Sequence, residues 1–309
     1  MKQEIKNGYQ ELLLETYEEF IELIRPDKQK IQEYLDCPNY ELIFRGQGDS
    51  EWLLNPSLFR SKPISPALSN SYSGICFMNW VQLKAFIKGC DLNAAIVPFD
   101  SYQFRAELMR EFNDKVVFDS KSWPDSRLFE LIAYAQHYGV PTELLDWSRN
   151  SLVASYFAAS KVVEIGDIKG NMAIWVFDTE KRNLLNSHNQ VDFEIIDVPN
   201  GFNQNISSQQ GCFTLIRQNI SRNSIIKFDD DLKRFKEIKL LDELLCEKGI
   251  ENSLLKISVP KIYAPDILKY CSAYSINAAT VFRGVEGAAI YAKQSLIIEE
   301  YRQKLFDLI

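Results

Sequence analysis

Three short segments of the chain are rich in polar side chains that a folded core does not require. They read FRGQ at residues 44–47, AQHYGVPTELLDWS at 135–148 and SQQGCFT at 208–214. Arg45 stands between an aromatic residue and a glycine, and a guanidinium in that setting is suited to a forked bond with a phosphate or carboxylate. The second segment crosses a helix end and a rigid Val-Pro turn, an irregular stretch of the kind that displays binding sites. Arg45 is accordingly either a charged strand-end residue or the anion-binding group of an active site.

Several common catalytic arrangements are missing from the sequence. It has no GxSxG nucleophile elbow, no GxxxxGK[ST] phosphate loop, no HExxH helix and no GxGxxG after a strand. Neither of its two histidines, His137 and His188, is flanked by a pattern that suggests a catalytic nucleophile nearby. The six cysteines form no CxxC pair, and the sequence has no carboxylate cluster of the metal-binding type. We therefore expect no metal site, and a nuclease or other metal-dependent hydrolase is disfavoured.

The composition is that of an ordinary folded protein. Of the 309 residues, 46% are hydrophobic and 25% are charged, which argues against a disordered or fibrous class. A net charge of −7 gives no overall attraction to nucleic acid or to an anionic membrane. The N-terminal residues lack an apolar signal-peptide core, and no run of about 18 uncharged apolar residues occurs. We therefore expect a cytoplasmic protein with reduced thiols and no membrane partner.

Hydrophobic periodicity predicts the elements that must position the polar segments. Apolar residues at three- and four-residue intervals predict a helix from about Tyr9 to Tyr34, broken near Arg25-Pro26. The segment YELIFRG, at residues 40–46, reads as a strand that delivers Arg45 to its end. Residues 61–100 are rich in Ser and Pro at first and then partly helical, which is typical of an insertion or a mobile arm.

The rest of the chain alternates between helices and strands. Helices are predicted over 104–117, over 126–139 with Ser126 as N-cap, over 148–163 with a cap at Ser148 or Asn150, and from Glu286 onward. Buried strands are predicted at 171–178, 211–216 and 254–260, whereas TELLDW at 142–147 fits neither a long helix nor a clean alternating strand. Since no strict βαβ rhythm is present, the predicted class is α+β, with an N-terminal helical segment at 1–40 and one domain over 41–309.

Four segments, in their order along the chain, resemble a known bacterial domain. These segments are similar to the FRG domain, which is named for its F/Y-R-G motif: FRGQGDSEWLLNPSLFR, AQHYGVPTELLDWSRNSLVASYFAA, SQQGCFT, and a C-terminal part made of LLKISVP and ILKYCSAYSINAATVFRGVEGAAIYA. The resemblance runs from about Phe44 to about Ala292 and leaves out the first helix and the 61–100 insertion.

A second resemblance concerns the order of the motifs. An aromatic-Arg-Gly strand end, a hydroxyl-bearing segment before an A-x-x-F-A helix, and a Gln-bearing strand start are similar to the R–S–E order of mono-ADP-ribosyltransferases. This similarity implies an ADP-ribosyltransferase-like split β-sheet core. It also implies NAD⁺ as substrate, bound without a metal.

The second resemblance assigns roles to individual residues. Arg45, Ser148 and Gln209 would be catalytic: Arg45 would contact a phosphate or the nicotinamide ribose, Ser148 would orient a ribose, and Gln209 would support an oxocarbenium-like transition state. Gly46 would let the backbone approach the nicotinamide amide. The further binding or shaping residues that the resemblance implies are Gln47, His137, Thr142, Asp146 and Gln210.

One position departs from the transferase pattern, which expects a glutamate where this chain has Gln209 or Gln210. A neutral amide accepts a hydrogen bond but stabilises developing positive charge less than a carboxylate does. Activity would then be slow or absent, or it would need a carboxylate from elsewhere, such as Glu143 or Glu194.

The function implied is an NAD⁺-dependent ADP-ribosyltransferase-like effector that modifies an intracellular protein or RNA. The FRG resemblance also suggests a toxin or anti-phage defence component, with an antitoxin or inhibitor protein as partner. The alternative is a non-catalytic module that binds a nucleotide or a protein in the same cleft. Single residues have structural alternatives as well: Asp146 and Ser148 can cap the following helix, and His137 can interact with a helix dipole.

Overall fold

The computed structural model describes residues 1–27, 29–35, 41–60, 70–108, 120–187, 191–199, 204–221 and 224–306. These residues form an eight-stranded sheet covered by helices, together with a two-stranded ribbon. The strands are β1 Lys2–Lys6, β2 Tyr9–Leu13, β3 Leu42–Gln47, β4 Leu145–Ser148, β5 Asn171–Asp178, β6 Phe193–Ile196, β7 Gly211–Ile216, β8 Phe228–Asp229, β9 Arg234–Phe235 and β10 Leu254–Pro260.

Helices occupy much of the rest of the described chain. They are α1 Tyr17–Ile24, α2 Gln29–Leu35, α3 Tyr72–Asn93, α4 Phe129–His137, α5 Ser151–Ile165, α6 Arg182–Leu185, α7 Gln204–Gln209, α8 Leu241–Lys248, α9 Ala264–Ala273, α10 Ala278–Val281 and α11 Gly284–Phe306. Among the described residues, no helix is both long and apolar enough to span a bilayer.

The large sheet has the strand order β1-β2-β10-β5-β3-β4-β7-β6. Strands β2 and β10 run parallel, and the other neighbouring pairs run antiparallel. This mixed sheet with its helices agrees with the predicted α+β class. The three strands that carry or adjoin the polar segments, β3, β4 and β7, are consecutive neighbours, so the sheet brings those segments together.

Alternation along the central strands separates two apolar layers. Phe44 and Ile174 point into the core that α5 and α9 cover, whereas Ile43 and Trp175 point into the core on the opposite face. A further core forms around α3 and α4 and includes Tyr72 and Leu131. The predicted strands at 171–178, 211–216 and 254–260 and the closing helix are confirmed over their described residues.

The N-terminal prediction is wrong for residues 9–13, which form strand β2 rather than the start of a helix. The two-residue loop Asn7-Gly8, with Gly8 at φ +87°, joins β1 to β2, and Asn-Gly is a favoured hairpin turn. The segment 1–40 is therefore not wholly helical. Helix α1 begins after a capping box of Thr16 and Glu19, and it ends at Ile24, where the break is predicted.

The stretch at 142–147 leads into strand β4, Leu145–Ser148, which the periodicity does not predict. Leu145 and Trp147 are buried on one side, while Asp146 is exposed on the other. Four residues are too few for this alternation to stand out in the sequence. Of the two caps considered for α5, Asn150 is confirmed, because its side chain accepts a hydrogen bond from Leu152 N at 2.9 Å.

Two other boundaries near the polar segments also differ from expectation. Asp125, and not Ser126, caps the start of the turn that leads into α4, by accepting from Arg127 N at 3.0 Å. The predicted helix at 104–117 is described only over Phe104–Leu108, which form a π-helical turn, and residues 109–119 lie outside the described chain.

Helix α3 belongs to the domain core, although the sequence suggests an insertion or a mobile arm. Residues 61–69 lie outside the described chain, but α3 buries Tyr72 and Cys76 completely. Its Asn79 donates to Pro141 O at 2.8 Å, and Tyr72 Oη donates to Glu143 Oε2 at 3.1 Å. Helix α3 thus holds the loop that leads into β4.

Glu143 is a buried acid at this contact. Its side chain is 3% exposed and also accepts from the Cys76 thiol at 3.7 Å. Burial raises the pKa of Glu143 to about 8, because desolvation penalises the carboxylate. The carboxyl is therefore protonated in the folded chain near neutral pH.

Gly46 marks the place where α5 lies directly on β3. A Cβ at Gly46 would stand 1.9 Å from Ala154 O and 2.8 Å from Ala158 N, distances at which backbone would have to move. Only a residue without a side chain allows this approach.

We predict that Gly46→Ala lowers the free energy of unfolding by at least about 3 kcal/mol, because the added methyl overpacks the contact with α5. Gly89→Ala is the matched control. Gly89 is an exposed position of α3 with no atom within 4 Å of the added Cβ, so its substitution should be neutral or stabilising by about 0.5–1 kcal/mol. Urea unfolding followed by circular dichroism measures both, and equal effects of the two substitutions would contradict the close contact.

We predict that Glu143→Gln changes how stability depends on pH. The wild-type acid has a pKa of about 8 when folded and about 4.5 when unfolded, so the folded state binds the extra proton between these values. Stability from this group is present below pH 4.5 and is lost as pH rises to 8, at up to about 1.4 kcal/mol per unit. The glutamine variant lacks this loss, so it gains stability relative to wild type between pH 5 and pH 7.5.

Thermal unfolding at several pH values measures this difference. Glu164→Gln, which removes an exposed carboxylate of α5 that pairs with Lys161, reports the effect of losing a surface charge. A wild-type-minus-Glu143→Gln difference that stays constant from pH 5 to pH 7.5 would show that Glu143 is not protonated in the fold.

Candidate functional site

The junction between β3 and β4 is held by a side chain as well as by the backbone. The two strands share one register pair, Phe44 with Ser148, whereas β3 shares six with β5. Beyond that pair, Arg45 Nη1 donates to Asp146 O at 2.7 Å and lies 2.8 Å from Asp146 Oδ2. The guanidinium therefore links the two strands where their register pairing stops.

Arg45 is enclosed, while its acidic partner faces solvent. The Arg45 side chain is 10% exposed and that of Asp146 is 65% exposed. The buried Nε of Arg45 has no hydrogen-bond partner among the described residues, which is costly for a charged group. Arg45 is consequently a largely enclosed cation whose hydrogen bonds are not all satisfied by the described residues.

The Asp146 carboxylate is held in its ionised form. Desolvation acts to raise its pKa, but the charge of Arg45 and its hydrogen bond outweigh that effect and lower the pKa below the usual value. Asp146 Oδ1 also accepts from Gln136 Nε2 at 3.3 Å. Gln136, whose role the sequence pattern does not predict, thus joins α4 to the junction.

Thr142 positions this polar chain from inside the fold. It is completely buried, its hydroxyl donates to Gln136 Oε1, and the same hydroxyl accepts from Leu144 N at 3.2 Å. Its backbone N donates to Ser57 Oγ at 3.0 Å. In this structure Thr142 orients Gln136 and does not itself face solvent.

Ser148 and Gln209, from the second and third polar segments, are in direct contact. Ser148 Oγ donates to Gln209 O at 2.6 Å and accepts from Asn150 N at 3.0 Å. The Gln209 amide donates to Val281 O at 3.3 Å. Gln210 is exposed with φ +49°, a strained value for a residue with a side chain, and follows directly.

His137 is the last residue of α4, and its ring contacts Asn205. Asn205 Oδ1 accepts from Arg283 N at 2.7 Å, so the Asn205 amide nitrogen faces His137 Nε2, 2.5 Å away. The imidazole is then an acceptor at Nε2 and neutral. Burial lowers the pKa of His137, in agreement with that state. Asn205 is not part of any of the three polar segments, so its contact with His137 could not be predicted from the sequence.

Gly46 and Gln47 make contacts that stabilise the fold itself. Helix α5 covers Gly46. Gln47 is 4% exposed, accepts from Trp175 Nε1 at 2.8 Å and donates to Leu53 O at 3.1 Å. Both amide atoms of Gln47 therefore have protein partners.

The two glutamates considered as substitutes for the missing carboxylate are bound elsewhere. Glu143 contacts Tyr72 and Cys76 in the core beneath α3. Glu194, on the edge strand β6, pairs with Arg217 at 2.6 Å. Neither carboxylate shares a hydrogen bond with Ser148 or Gln209, so the arrangement provides an amide and not a carboxylate at the third motif.

Within the described chain, no group of three or more His, Cys, Asp or Glu side chains could hold a metal ion.

Part of the chain matches a known domain. No curated protein and no solved structure gives a significant match to the chain. Residues 40–164, which contain Arg45, Gln136, Asp146 and Ser148, match the FRG domain model. This part of the chain is therefore similar to the FRG domain.

Proposed function

We propose that the chain binds NAD⁺ at the β3–β4 junction as an ADP-ribosyltransferase-like protein. One observation carries the proposal: the strands of the Arg, Ser and Gln motifs are consecutive in the sheet, and Ser148 bonds directly to the Gln209 backbone. These segments lie about 100 and 60 residues apart in the sequence. An R–S–E type of site requires such convergence.

Arg45 fits the binding of a phosphate group. A guanidinium that is buried, charged and not fully hydrogen-bonded gains more from an anion than an exposed one does, because the local dielectric is low. Arg45 already has its place fixed by the Asp146 carbonyl. The ligand therefore meets a donor that needs little reorganisation.

NAD⁺ would supply an activated nicotinamide–ribose bond, whose cleavage leaves neutral nicotinamide and joins the ribose carbon to an acceptor that loses a proton. The chain would contribute orientation through Ser148 and a hydrogen-bond acceptor at Gln209. We propose an intracellular protein or RNA as acceptor, in a toxin or anti-phage defence setting. An antitoxin or inhibitor protein would then be a natural partner.

A second function is favoured by the state of the third motif. The Gln209 amide donates to Val281 O, and both candidate substitute glutamates have other partners. A module that binds a nucleotide or a protein at the same site without turnover needs Arg45 but no carboxylate. A nucleotide-binding module differs from the transferase in NAD⁺ consumption and not in NAD⁺ binding.

We predict that Arg45→Lys weakens NAD⁺ binding at least about tenfold, because a lysine ammonium keeps the charge but cannot form two parallel bonds to one phosphate. Isothermal titration calorimetry with NAD⁺ measures the change. Arg127→Lys is the matched control, since Arg127 is an exposed arginine paired with Asp125 outside the junction. Thermal melts establish that both variants are folded.

The proposal fails if wild type neither binds nor consumes NAD⁺, or if folded Arg45→Lys binds it as tightly as wild type does. Binding that depends on Arg45, without release of nicotinamide in the presence of cell lysate, would favour the non-catalytic module.

We predict that Gln209→Glu increases NAD⁺ cleavage at least about tenfold, because a carboxylate stabilises the oxocarbenium-like state better than an amide. Nicotinamide release, followed by chromatography, measures it. Gln210→Glu is the matched comparison, since Gln210 is the neighbouring exposed residue and Ser148 bonds to the backbone of Gln209. A gain from Gln210→Glu alone would assign the third motif to Gln210, and no gain from either would count against a transferase cleft.

A further inference from the structure

A cleft lies between helices α9 and α11, and we call it the α9–α11 cleft. Its volume is about 420 Å³, within the range of about 300–1,000 Å³ that is typical of small-molecule sites. Its apolar lining includes Pro265 and Leu268 of α9 and Ile298 of α11. The cleft is lined by no residue of the three polar segments, so it is separate from the β3–β4 junction.

Helix α5 lies between this cleft and strand β3. Ala154 and Ala158 of α5 face Gly46, whereas Tyr156 lines the cleft and donates to α11. Tyr156 is two residues from each alanine, and two residues correspond to about 200° of rotation around a helix. The cleft and the first polar segment therefore contact opposite sides of α5.

Bonds to α5 hold both walls of the cleft in place. Gln294 of α11 accepts from Tyr156 Oη at 3.0 Å, and its amide nitrogen donates to Ser160 Oγ. On the other wall, the Cys271 thiol of α9 donates to Leu152 O at 3.5 Å. The cleft is therefore formed before any ligand enters, which lowers the cost of binding.

Small side chains on both helices leave the space between them unfilled. Ser272 and Ala273 line the cleft from α9, and Ser295 lines it from α11. Apolar atoms of Leu268 and Ile298 therefore border an open space instead of packing across it. An apolar group that enters this space leaves water, so a ligand with an apolar body is favoured.

The charge at the cleft is positive. Lys269 of α9 and Arg302 of α11 line it, and Glu299 is the single acid among the described residues that do so. Within the described part of the chain, Lys269 makes no ion pair. Arg302 pairs with Glu299 at 2.9 Å, but the two side chains are 41% and 70% exposed. Because such an exposed pair contributes little, a ligand can replace Glu299 as the partner of Arg302.

We propose that the α9–α11 cleft binds a small organic anion with an apolar body, whose charged end lies between Lys269 and Arg302. The ammonium and the guanidinium donate charge-assisted hydrogen bonds to the oxygens of the anion, and the apolar body lies on Leu268 and Ile298. This site is additional to the proposed function and does not depend on NAD⁺ binding at the junction.

The test uses the full chain and two fluorescent probes, anilinonaphthalene sulfonate and phenylnaphthylamine, which share their aromatic rings and differ in the sulfonate. Titration should show one sulfonate probe bound per chain. The neutral probe should bind at least about tenfold more weakly, because it lacks the charge-assisted contacts.

Removal of either cation tests the charged end of the site. Lys269→Gln and Arg302→Gln should each weaken binding of the sulfonate probe about fivefold and leave binding of the neutral probe unchanged. Lys293→Gln is the matched control, since Lys293 is an exposed lysine of α11 that does not line the cleft. It should leave the affinity for the sulfonate probe within about twofold of wild type at physiological salt.

A bulky side chain tests the location. Ser295→Trp should weaken binding of the sulfonate probe at least about tenfold, because the indole fills the cleft. Ala292→Trp, at an exposed position of α11 outside the cleft, is the matched control and should bind as wild type does. Arg45→Lys should bind the probe as wild type does too, and thermal melts show whether each variant is folded.

Each outcome decides the inference. A wild-type chain that does not bind the sulfonate probe overturns it, and so does wild-type affinity in folded Ser295→Trp. Equal affinity for the two probes, or wild-type affinity in both cation variants, contradicts an anion site. Competition with NAD⁺ that Arg45→Lys abolishes would place the probe at the junction and overturn the cleft. The expected variant effects in a chain that does not bind NAD⁺ would support the cleft and contradict the proposed function alone.

Discussion

The hydrogen bond from the Arg45 guanidinium to the Asp146 carbonyl joins strands β3 and β4 at the point where backbone pairing between them ends. On one side β3 is paired along its length with β5, and on the other β4 is paired along its length with β7. Between them one register pair remains. A charged side chain takes the place of further backbone hydrogen bonds there. The connection therefore depends on a cation that is largely enclosed by the fold.

This constraint explains how the surrounding residues divide into two groups. Gly46, Gln47 and Thr142 face helix α5 or the interior, where they fix the strands and the α4 end. Arg45 and Asp146 form the charged part of the junction, and of these two Asp146 is the one that faces solvent. Residues of one short motif thus serve different purposes: Gly46 allows α5 to approach, Gln47 bonds to protein partners, and Arg45 joins β3 to β4.

Much of the fold follows from local pattern, and what does not follow depends on distant contacts. Apolar runs predict β5, β7 and β10 because those strands are buried on both faces. Strand β4 is not predicted because a strand of four residues carries little periodicity. The first hairpin is also missed, although its Asn7-Gly8 turn is a favoured hairpin sequence. In the site, the order of motifs predicts that Ser148 and Gln209 meet. It cannot predict that α5 covers Gly46, because that contact joins residues far apart in the chain.

A crystal structure of the chain with ADP-ribose tests the central claim most directly, because it locates the ligand without requiring turnover. The account predicts phosphate oxygens of ADP-ribose within hydrogen-bond distance of Arg45, with the bond from Arg45 to the Asp146 carbonyl intact. ADP-ribose bound at another surface, with the ion pair between Arg45 and Asp146 undisturbed, would contradict it.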